Sequence, residues 1–310
     1  MSTRTLPQLS GDSVYLADGG LETTLVFLDG MDLPDFASFP LLGSPDGTAH
    51  LDRYFRPYLD LAERTGSGFV IDTATWRANP DWGTRLGCDG AALTEVNRRA
   101  VEYAAGLARG RSVPTVINGV IGPRGDGYVV GETMTREEAA SYHSLQARAF
   151  ADAGAQMVSA ITMTYAAEAI GIVDAVTSVD LPVVVSFTVE TDGRLPSGQD
   201  LGDAIDEVDK ATGGAPAYFM VNCAHPTHFA SVLRPDQPWA GRIKGVRANA
   251  STMSHAELDE ATELDRGDVA GLARHYRRLR DTLPDLRVVG GCCGTDHEHI
   301  AAIAEELELA

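Results

Sequence analysis

The sequence has 310 residues, of which 44% are hydrophobic and 22% are charged, a balance typical of a folded globular protein that excludes a mainly disordered chain. Asp and Glu number 44 against 25 Lys and Arg, and the formal charge of −19 opposes the attraction to phosphate on which nucleic-acid binding depends. Because no run approaches roughly 18 apolar residues and segment 1–10 lacks the apolar core of a secretory signal, we expect a soluble, cytoplasmic protein without nucleic-acid or membrane partners.

Short runs rich in Val and Ile recur along the chain. They are apolar at most successive positions, which is typical of strands buried on both faces of a sheet. Glycines and prolines separate these runs, and no low-complexity linker divides the sequence. The predicted strands are 14–17, 68–73, 115–120, 157–161, 183–188, 218–222, 243–248 and 287–289.

Segments with helical periodicity lie between the predicted strands. In the clearest of them Thr135 and Glu138 form a capping box, and Gly154 ends the helix. A second capping box, Thr295 with Glu298, precedes the last predicted helix. The other predicted helices are 51–64, 93–108, 166–178, 201–211, 226–233 and 268–282.

The alternation of eight predicted strands with eight predicted helices indicates an α/β fold with a parallel sheet. We predict one domain, 1–310, folded as a closed (β/α)8 TIM barrel. An open sheet that binds a dinucleotide would need a glycine-rich phosphate loop after the first strand. Residues 18–22 read DGGLE and lack that spacing, and no P-loop motif is present in the sequence, so nucleotide binding of either type is disfavoured.

Polar residues follow almost every predicted strand. In a TIM barrel the chemistry takes place at the carboxyl ends of the strands, so these residues are candidates for a functional site. Proximity to solvent explains many polar residues in such positions, but it does not explain three cysteines. The strand ends supply Asp18, Glu22, Asp72, Thr73, Thr75, Trp76, Asn118, Thr162, Thr188, Glu190, Asn222, Cys223, Arg247, Asn249, Cys292 and Cys293.

Three of the four cysteines follow two strands that only one other strand separates. Cys223 comes after the sixth predicted strand, and Cys292 and Cys293 come after the eighth. Three thiolates at about 2.3 Å can hold Zn²⁺ and leave a fourth position open for a substrate. On the residues alone, two alternatives stay open: buried cysteines that act as small apolar side chains, and a redox-active vicinal pair.

At these residues the sequence resembles the homocysteine S-methyltransferase family, zinc-dependent barrels that move a methyl group onto a thiol. The resemblance implies that Cys223, Cys292 and Cys293 bind Zn²⁺. It also implies a sulfonium or quaternary ammonium methyl donor, such as S-methylmethionine or betaine, and homocysteine as acceptor. The similar segments are 18–23 (DGGLET), 118–123 (NGVIGP), 186–188 (SFT), 195–198 (LPSG), 222–223 (NC) and 290–295 (GGCCGT).

Zinc chemistry explains why this family uses cysteines. A free thiol has a pKa of about 8.5 and is mostly protonated at neutral pH, whereas coordination to zinc deprotonates it. By the resemblance, Asp18 would contact the amino group of the acceptor, although it could equally cap a turn. The further substrate-binding candidates at the strand ends are Glu22, Trp76, Arg77, Asn118, Thr162 and Asn222.

A cationic donor would favour an acidic, aromatic pocket. Trp76, Trp82 and Phe187 could form one wall of such a pocket, although ordinary packing is the better interpretation of Phe187. His225 follows Cys223 closely and could support the metal ligands. The partners implied are thus small molecules, a thiol and a methyl donor, and a homo-oligomer stays open.

Two positions depart from the family pattern. Ile161 stands where a Glu that helps to hold the amino group of homocysteine would align, and Arg77 stands where an aromatic residue would be expected. Loss of a carboxylate and gain of a guanidinium shift the preference from an ammonium group towards an anion. We therefore hypothesise an acceptor thiol other than homocysteine, or one bound in a different orientation.

Two functions from other classes compete with methyl transfer. The first is a redox-sensing or zinc-sensing barrel in which the vicinal cysteines oxidise and no methyl group moves. The second is a barrel lyase or phosphate-ester enzyme that uses the carboxylates and Arg247, and its activity would survive replacement of Cys292 by Ser. The resemblance favours methyl transfer over both.

Overall fold

The computed structural model describes residues 5–234 and 236–309, and within them eight parallel strands form one closed barrel in sequence order. β1 pairs with both β2 and β8, which closes the barrel. The predicted (β/α)8 class is confirmed, and the strand ends differ from the predicted ones by one or two residues. The strands are β1 (Tyr15–Leu16), β2 (Gly68–Asp72), β3 (Thr115–Ile121), β4 (Met157–Met163), β5 (Val183–Phe187), β6 (Tyr218–Asn222), β7 (Ile243–Ala248) and β8 (Val288–Gly291).

Helical segments follow each strand. Two short helices were not predicted, because each has too few residues to show a helical period: Pro80–Arg85, capped by Asn79, and His255–Asp259, capped by Ser254. None of the described helices is long and apolar enough to cross a lipid bilayer. The other α-helices are Leu21–Thr23, Pro45–Thr65, Gly90–Ala108, Arg136–Ala153, Ala166–Thr177, Leu201–Thr212, Pro226–Phe229, Val269–Thr282 and His297–Glu306; 3-10 helices span Pro7–Leu9, Pro34–Phe36, Phe39–Gly43 and Ala240–Arg242, and a π-helix spans Thr24–Leu28.

The predicted capping boxes have different outcomes. Thr135 and Glu138 form the predicted box, which is therefore confirmed. The box predicted at Thr295 and Glu298 is wrong, because Asp296 caps the last helix. The Thr295 hydroxyl instead donates a hydrogen bond to the carbonyl of Cys292 at 2.7 Å, so it is engaged in the loop after β8.

The barrel interior changes from apolar to polar along the strands. Its amino-terminal part is filled by a cluster of buried residues, among them Val70, Val116, Val184 and Met220, and Gln8 lies against this cluster through Tyr218. Two residues further along each strand, on the same face, the buried side chains are polar. These are Asp72, Asn118, Ser159, Ser186 and Asn222, with Arg247 from β7.

Candidate metal centre and substrate pocket

Three cysteine sulfurs meet at the carboxyl ends of β6 and β8. The sulfurs of Cys223, Cys292 and Cys293 all lie within 4.8 Å of one another. Cys223 and Cys292 are joined as a disulfide across a Cα–Cα distance of 5.3 Å, and the sulfur of Cys293 lies 3.9 Å from that of Cys223. The fold thus brings together the three residues that the sequence singled out. Reduction of the disulfide would give three thiols close enough to bind one ion.

The backbone around the sulfurs is tightly constrained. Cys223 has a φ of 52°, a left-handed conformation that is uncommon outside glycine and that concentrates at functional sites. Its amide donates a hydrogen bond to the carbonyl of Arg247, and the amide of Cys292 donates one to Ala248. A Cβ at Gly20 would lie 2.6 Å from the carbonyl oxygen of Cys292, so only glycine lets β1 and β8 approach at this point.

Two residues that the sequence analysis missed support the cysteines. The hydroxyl of Tyr128 donates a hydrogen bond to Cys293 Sγ at 3.4 Å, and its ring stacks on His255 with 4.1 Å between centroids. His255 Nε2 lies 2.9 Å from the carbonyl oxygen of Cys223, and its Nδ1 lies 3.0 Å from Glu190. Tyr128 follows a loop and His255 belongs to a short helix, so no periodic pattern marked either of them.

His225 had been considered as a support for the metal ligands, but its ring has other neighbours. It packs edge-on against His275 and His228, and its Nδ1 is hydrogen-bonded to the side chain of Thr227. Burial, together with the two neighbouring imidazoles, lowers the pKa of His225 to about 4, so the ring is neutral at pH 7. The histidine that contacts the backbone of Cys223 is instead His255.

Burial controls the charge on the sulfur that is outside the disulfide. The pKa of the Cys293 thiol is raised mainly by burial, which disfavours the thiolate. The hydrogen bond from Tyr128 acts in the opposite direction but does not outweigh the burial. A cation beside these sulfurs would restore the balance in favour of the thiolate, and a site of three thiolates suits Zn²⁺.

A buried ion-pair cluster lies at the bottom of the pocket. The guanidinium of Arg247 is paired with both Asp18 and Asp72. The second carboxylate oxygen of Asp18 accepts a hydrogen bond from Tyr54 at 2.9 Å, and Asn118 donates one to Asp72 at 2.7 Å. Burial raises the pKa of Asp18 to about 7, although Arg247 lowers it.

One cavity of about 390 Å³ connects these features. Apart from Asn118, every residue that the sequence analysis assigned to the site lines this cavity. Asn118 lies beneath it and holds Asp72, while Asn222 and Thr162 are joined by a hydrogen bond of 2.8 Å. Phe187 is outside the cavity and stacks on Phe219, which agrees with its interpretation as a packing residue.

Arg77 forms part of the cavity wall between two tryptophans. Its guanidinium carbon lies 3.7 Å from the ring centroid of Trp82 and 4.7 Å from that of Trp76. The side chain is only 10% exposed, and its ion-pair partner is Asp126 at 3.8 Å. Trp82 itself does not line the cavity, so of the proposed aromatic wall only Trp76 faces the substrate space.

A closed parallel barrel with three cysteines gathered at the carboxyl ends of its strands places this protein among the TIM-barrel enzymes that carry their chemistry at that end. The chain belongs to the homocysteine S-methyltransferase family, because the sequence model of that family matches residues 15–307. It is therefore an enzyme of this type. A comparison with curated proteins found no match.

Solved structures with the same fold include the homocysteine methyltransferase MmuM from Escherichia coli in three forms. The metallated form is 21% identical over 96% of both chains with a TM-score of 0.72, and the oxidized form is 22% identical over the same shares with the same TM-score. The apo form is 18% identical, again over 96% of both chains, with a TM-score of 0.65. These likenesses support the barrel architecture.

Proposed function

We propose that the enzyme transfers a methyl group from a sulfonium or quaternary ammonium donor to a thiol acceptor, with Cys223, Cys292 and Cys293 holding Zn²⁺. The observation that carries this proposal is the approach of the three sulfurs to within 4.8 Å of one another beside a substrate-sized cavity. Bound there, Zn²⁺ would supply an acceptor thiolate at neutral pH. The acceptor is homocysteine or a related, more anionic thiol.

The methyl group moves from a cationic donor atom to an anionic sulfur. The donor's S–C or N–C bond breaks as the acceptor's S–C bond forms, and the donor leaves as a neutral thioether or amine. The overall reaction therefore requires no added oxidant or reductant. The protein has to bring the two reacting atoms together, in line, and to exclude water from the cavity.

The residues of the cavity divide between the two substrates. The Trp76 ring and the carboxylate of Glu22 suit the cationic donor, because aromatic faces and carboxylates both attract such cations. One oxygen of Glu22 accepts a hydrogen bond from Ser38 at 2.7 Å, and its other oxygen remains for a ligand. Asn222 and Thr162 border the sulfurs and would shape the acceptor site.

Tyr128 and His255 would hold the metal ligands in place. Tyr128 donates to the sulfur of Cys293, and His255 and Asn249 both donate to the carbonyl oxygen of Cys223, with the His255 proton on Nε2. Such contacts around a metal site fix the direction of the ligands. We further propose that residues 1–310 form one domain and that the enzyme works in the cytoplasm, where a reducing environment would keep the three cysteines as thiols.

The disulfide between Cys223 and Cys292 supports a second candidate function, a redox or zinc sensor. Both functions can be tested on protein purified with a reductant and then freed of it. Methyl transfer predicts one zinc per chain and thioether formation from S-methylmethionine, S-adenosylmethionine or betaine with a panel of thiols. Zinc binding without transfer to any thiol would favour the sensor. Transfer that survives Cys292→Ser would contradict the proposed role of the cysteines.

A further inference from the structure

Arg77 is a buried cation whose hydrogen-bonding groups are incompletely used. Among the described residues, its Nε and Nη1 groups have no hydrogen-bond acceptor. Its ion-pair partner, Asp126, is 3.8 Å away and is itself 46% exposed, so this contact is weak. Burial lowers the pKa of Arg77, which shows that its surroundings compensate the charge incompletely. An unsatisfied buried guanidinium is unfavourable unless an anion joins it.

The two tryptophans hold the guanidinium in a fixed orientation. Trp82 and Trp76 stack on it, so that the nitrogen edge and not the flat face is left for hydrogen bonds. An arginine prepared in this way can bind a carboxylate through two parallel hydrogen bonds. The two stacking contacts also explain how the chain tolerates a cation in a wall that is mostly apolar.

Arg77 and the cysteine sulfurs open into the same cavity. Both line the cavity of about 390 Å³, and residues 126–128 run from one to the other. Asp126 faces Arg77, whereas Tyr128 donates to Cys293. A small molecule with a thiol at one end and an anionic group at the other could therefore reach both sites.

The bottom of the cavity offers no free carboxylate for an ammonium group. Both oxygens of Asp18 are engaged, one by Arg247 and the other by Tyr54. Ile161 lines the same region and is apolar. Glu22 retains a free oxygen, but the cationic methyl donor requires a carboxylate of its own. The cavity thus provides recognition for an anion and does not provide it for a second cation.

We propose that Arg77 binds the carboxylate of the acceptor and that the acceptor is a mercaptocarboxylate, a thiol acid recognised without an α-ammonium group. This inference rests on the proposed methyl transfer and specifies its acceptor. It assigns to Arg77 the role of a specificity-determining residue. The acceptor would lie with its sulfur at the cysteine cluster and its carboxylate at the guanidinium.

Three matched thiols test the acceptor class. Homocysteine carries both charged groups, 4-mercaptobutanoate lacks the ammonium group, and 3-mercaptopropylamine lacks the carboxylate. We expect 4-mercaptobutanoate to match or exceed homocysteine in kcat/KM, and 3-mercaptopropylamine to be lower by about 100-fold, because it leaves the guanidinium unpaired. A clear preference for homocysteine over 4-mercaptobutanoate would overturn the inference.

Substitutions test whether Arg77 is the residue responsible. We expect Arg77→Met to raise KM for 4-mercaptobutanoate by about 10- to 100-fold with little change in kcat, and to leave kcat/KM for 3-mercaptopropylamine unchanged. Arg77→Lys should lie between the two, since it keeps the charge and loses the paired hydrogen bonds. Arg85→Met is the matched control, because Arg85 also stacks on Trp82 but pairs with Asp35 and is 60% exposed. A rise in KM for the donor alone would assign Arg77 to the donor and overturn the inference.

A binding measurement separates this inference from the proposed function. The thioether 4-(methylsulfanyl)butanoate carries the carboxylate but neither a thiol nor a methyl cation, so calorimetry reports its binding whether or not transfer occurs. Binding to wild type that Arg77→Met weakens at least tenfold would support the carboxylate site even if no methyl transfer were found. Equal binding to both proteins, with circular dichroism showing both to be folded, would overturn it.

Discussion

The hydroxyl of Tyr128 points at the sulfur of Cys293, 3.4 Å away, while the ring of Tyr128 is fixed by stacking on His255. Substitution Tyr128→Phe keeps the ring and removes only this donor. We expect zinc affinity to fall by about tenfold, because groups that hydrogen-bond to metal ligands typically contribute 10- to 100-fold. Competition with a chromophoric chelator measures the affinity. An unchanged affinity would show that the hydroxyl does not support the ligand.

The three clustered cysteines should be individually necessary. Replacement of Cys223, Cys292 or Cys293 by Ser removes one thiolate from the proposed zinc site, and we expect each variant to lose bound zinc and methyl transfer. Cys88→Ser is the control, because Cys88 is outside the cluster. Metal analysis and a transfer assay on all four variants check this prediction. Full zinc occupancy in any of the three cluster variants would contradict it.

Arg247 should be essential for stability, because it compensates two buried carboxylates. Substitution Arg247→Met leaves Asp18 and Asp72 without their partner, and we expect a loss of about 3–5 kcal/mol in the free energy of unfolding. As a control, Arg274→Met breaks an exposed pair with Asp268 and should change it by less than about 1 kcal/mol. Urea unfolding measures both values. Similar losses in the two variants would argue against the compensating role of Arg247.

Asp18 should also make stability depend on pH. Its pKa is about 7 in the folded protein against 3.8 for an ordinary aspartate, so the folded state binds a proton that the unfolded state has released. The resulting contribution to stability is fully present below pH 4 and is lost as the pH rises towards 7. We expect Asp18→Asn to flatten the stability profile between about pH 4 and 7. Unfolding curves across this range measure the slope, and parallel profiles for variant and wild type would refute the prediction.

The sequence predicted the barrel well because its strands are buried on both faces, which leaves a strong apolar signal. The convergence of the cysteines followed from the barrel itself, since residues after strands of a closed parallel sheet share one end. The prediction needed no knowledge of any side-chain contact. For the same reason it could place Cys223 near Cys292 without showing that the two sulfurs are bonded.

The sequence was less informative where function depends on pairing between distant residues. The pairing of Asp18 with Arg247 joins residues 229 positions apart, and neither residue carries a mark of the other in its local sequence. Asn118 follows the same rule, because only the inward direction of its side chain places it beneath the cavity, against Asp72. Local competition decided the last helix cap, where Asp296 replaced Thr295 once that hydroxyl was engaged by Cys292.

The apolar cluster in the amino-terminal half of the barrel has a kinetic consequence. Val70, Val116 and Met220 fill the interior below the polar layer, so among the described residues the sulfurs are approached from the opposite end. Both substrates of the proposed reaction would then share one entrance. The molecule that sits nearer the sulfurs must arrive before the other and depart after it, and initial-rate patterns should accordingly reveal an obligatory sequence of addition with the thiol first.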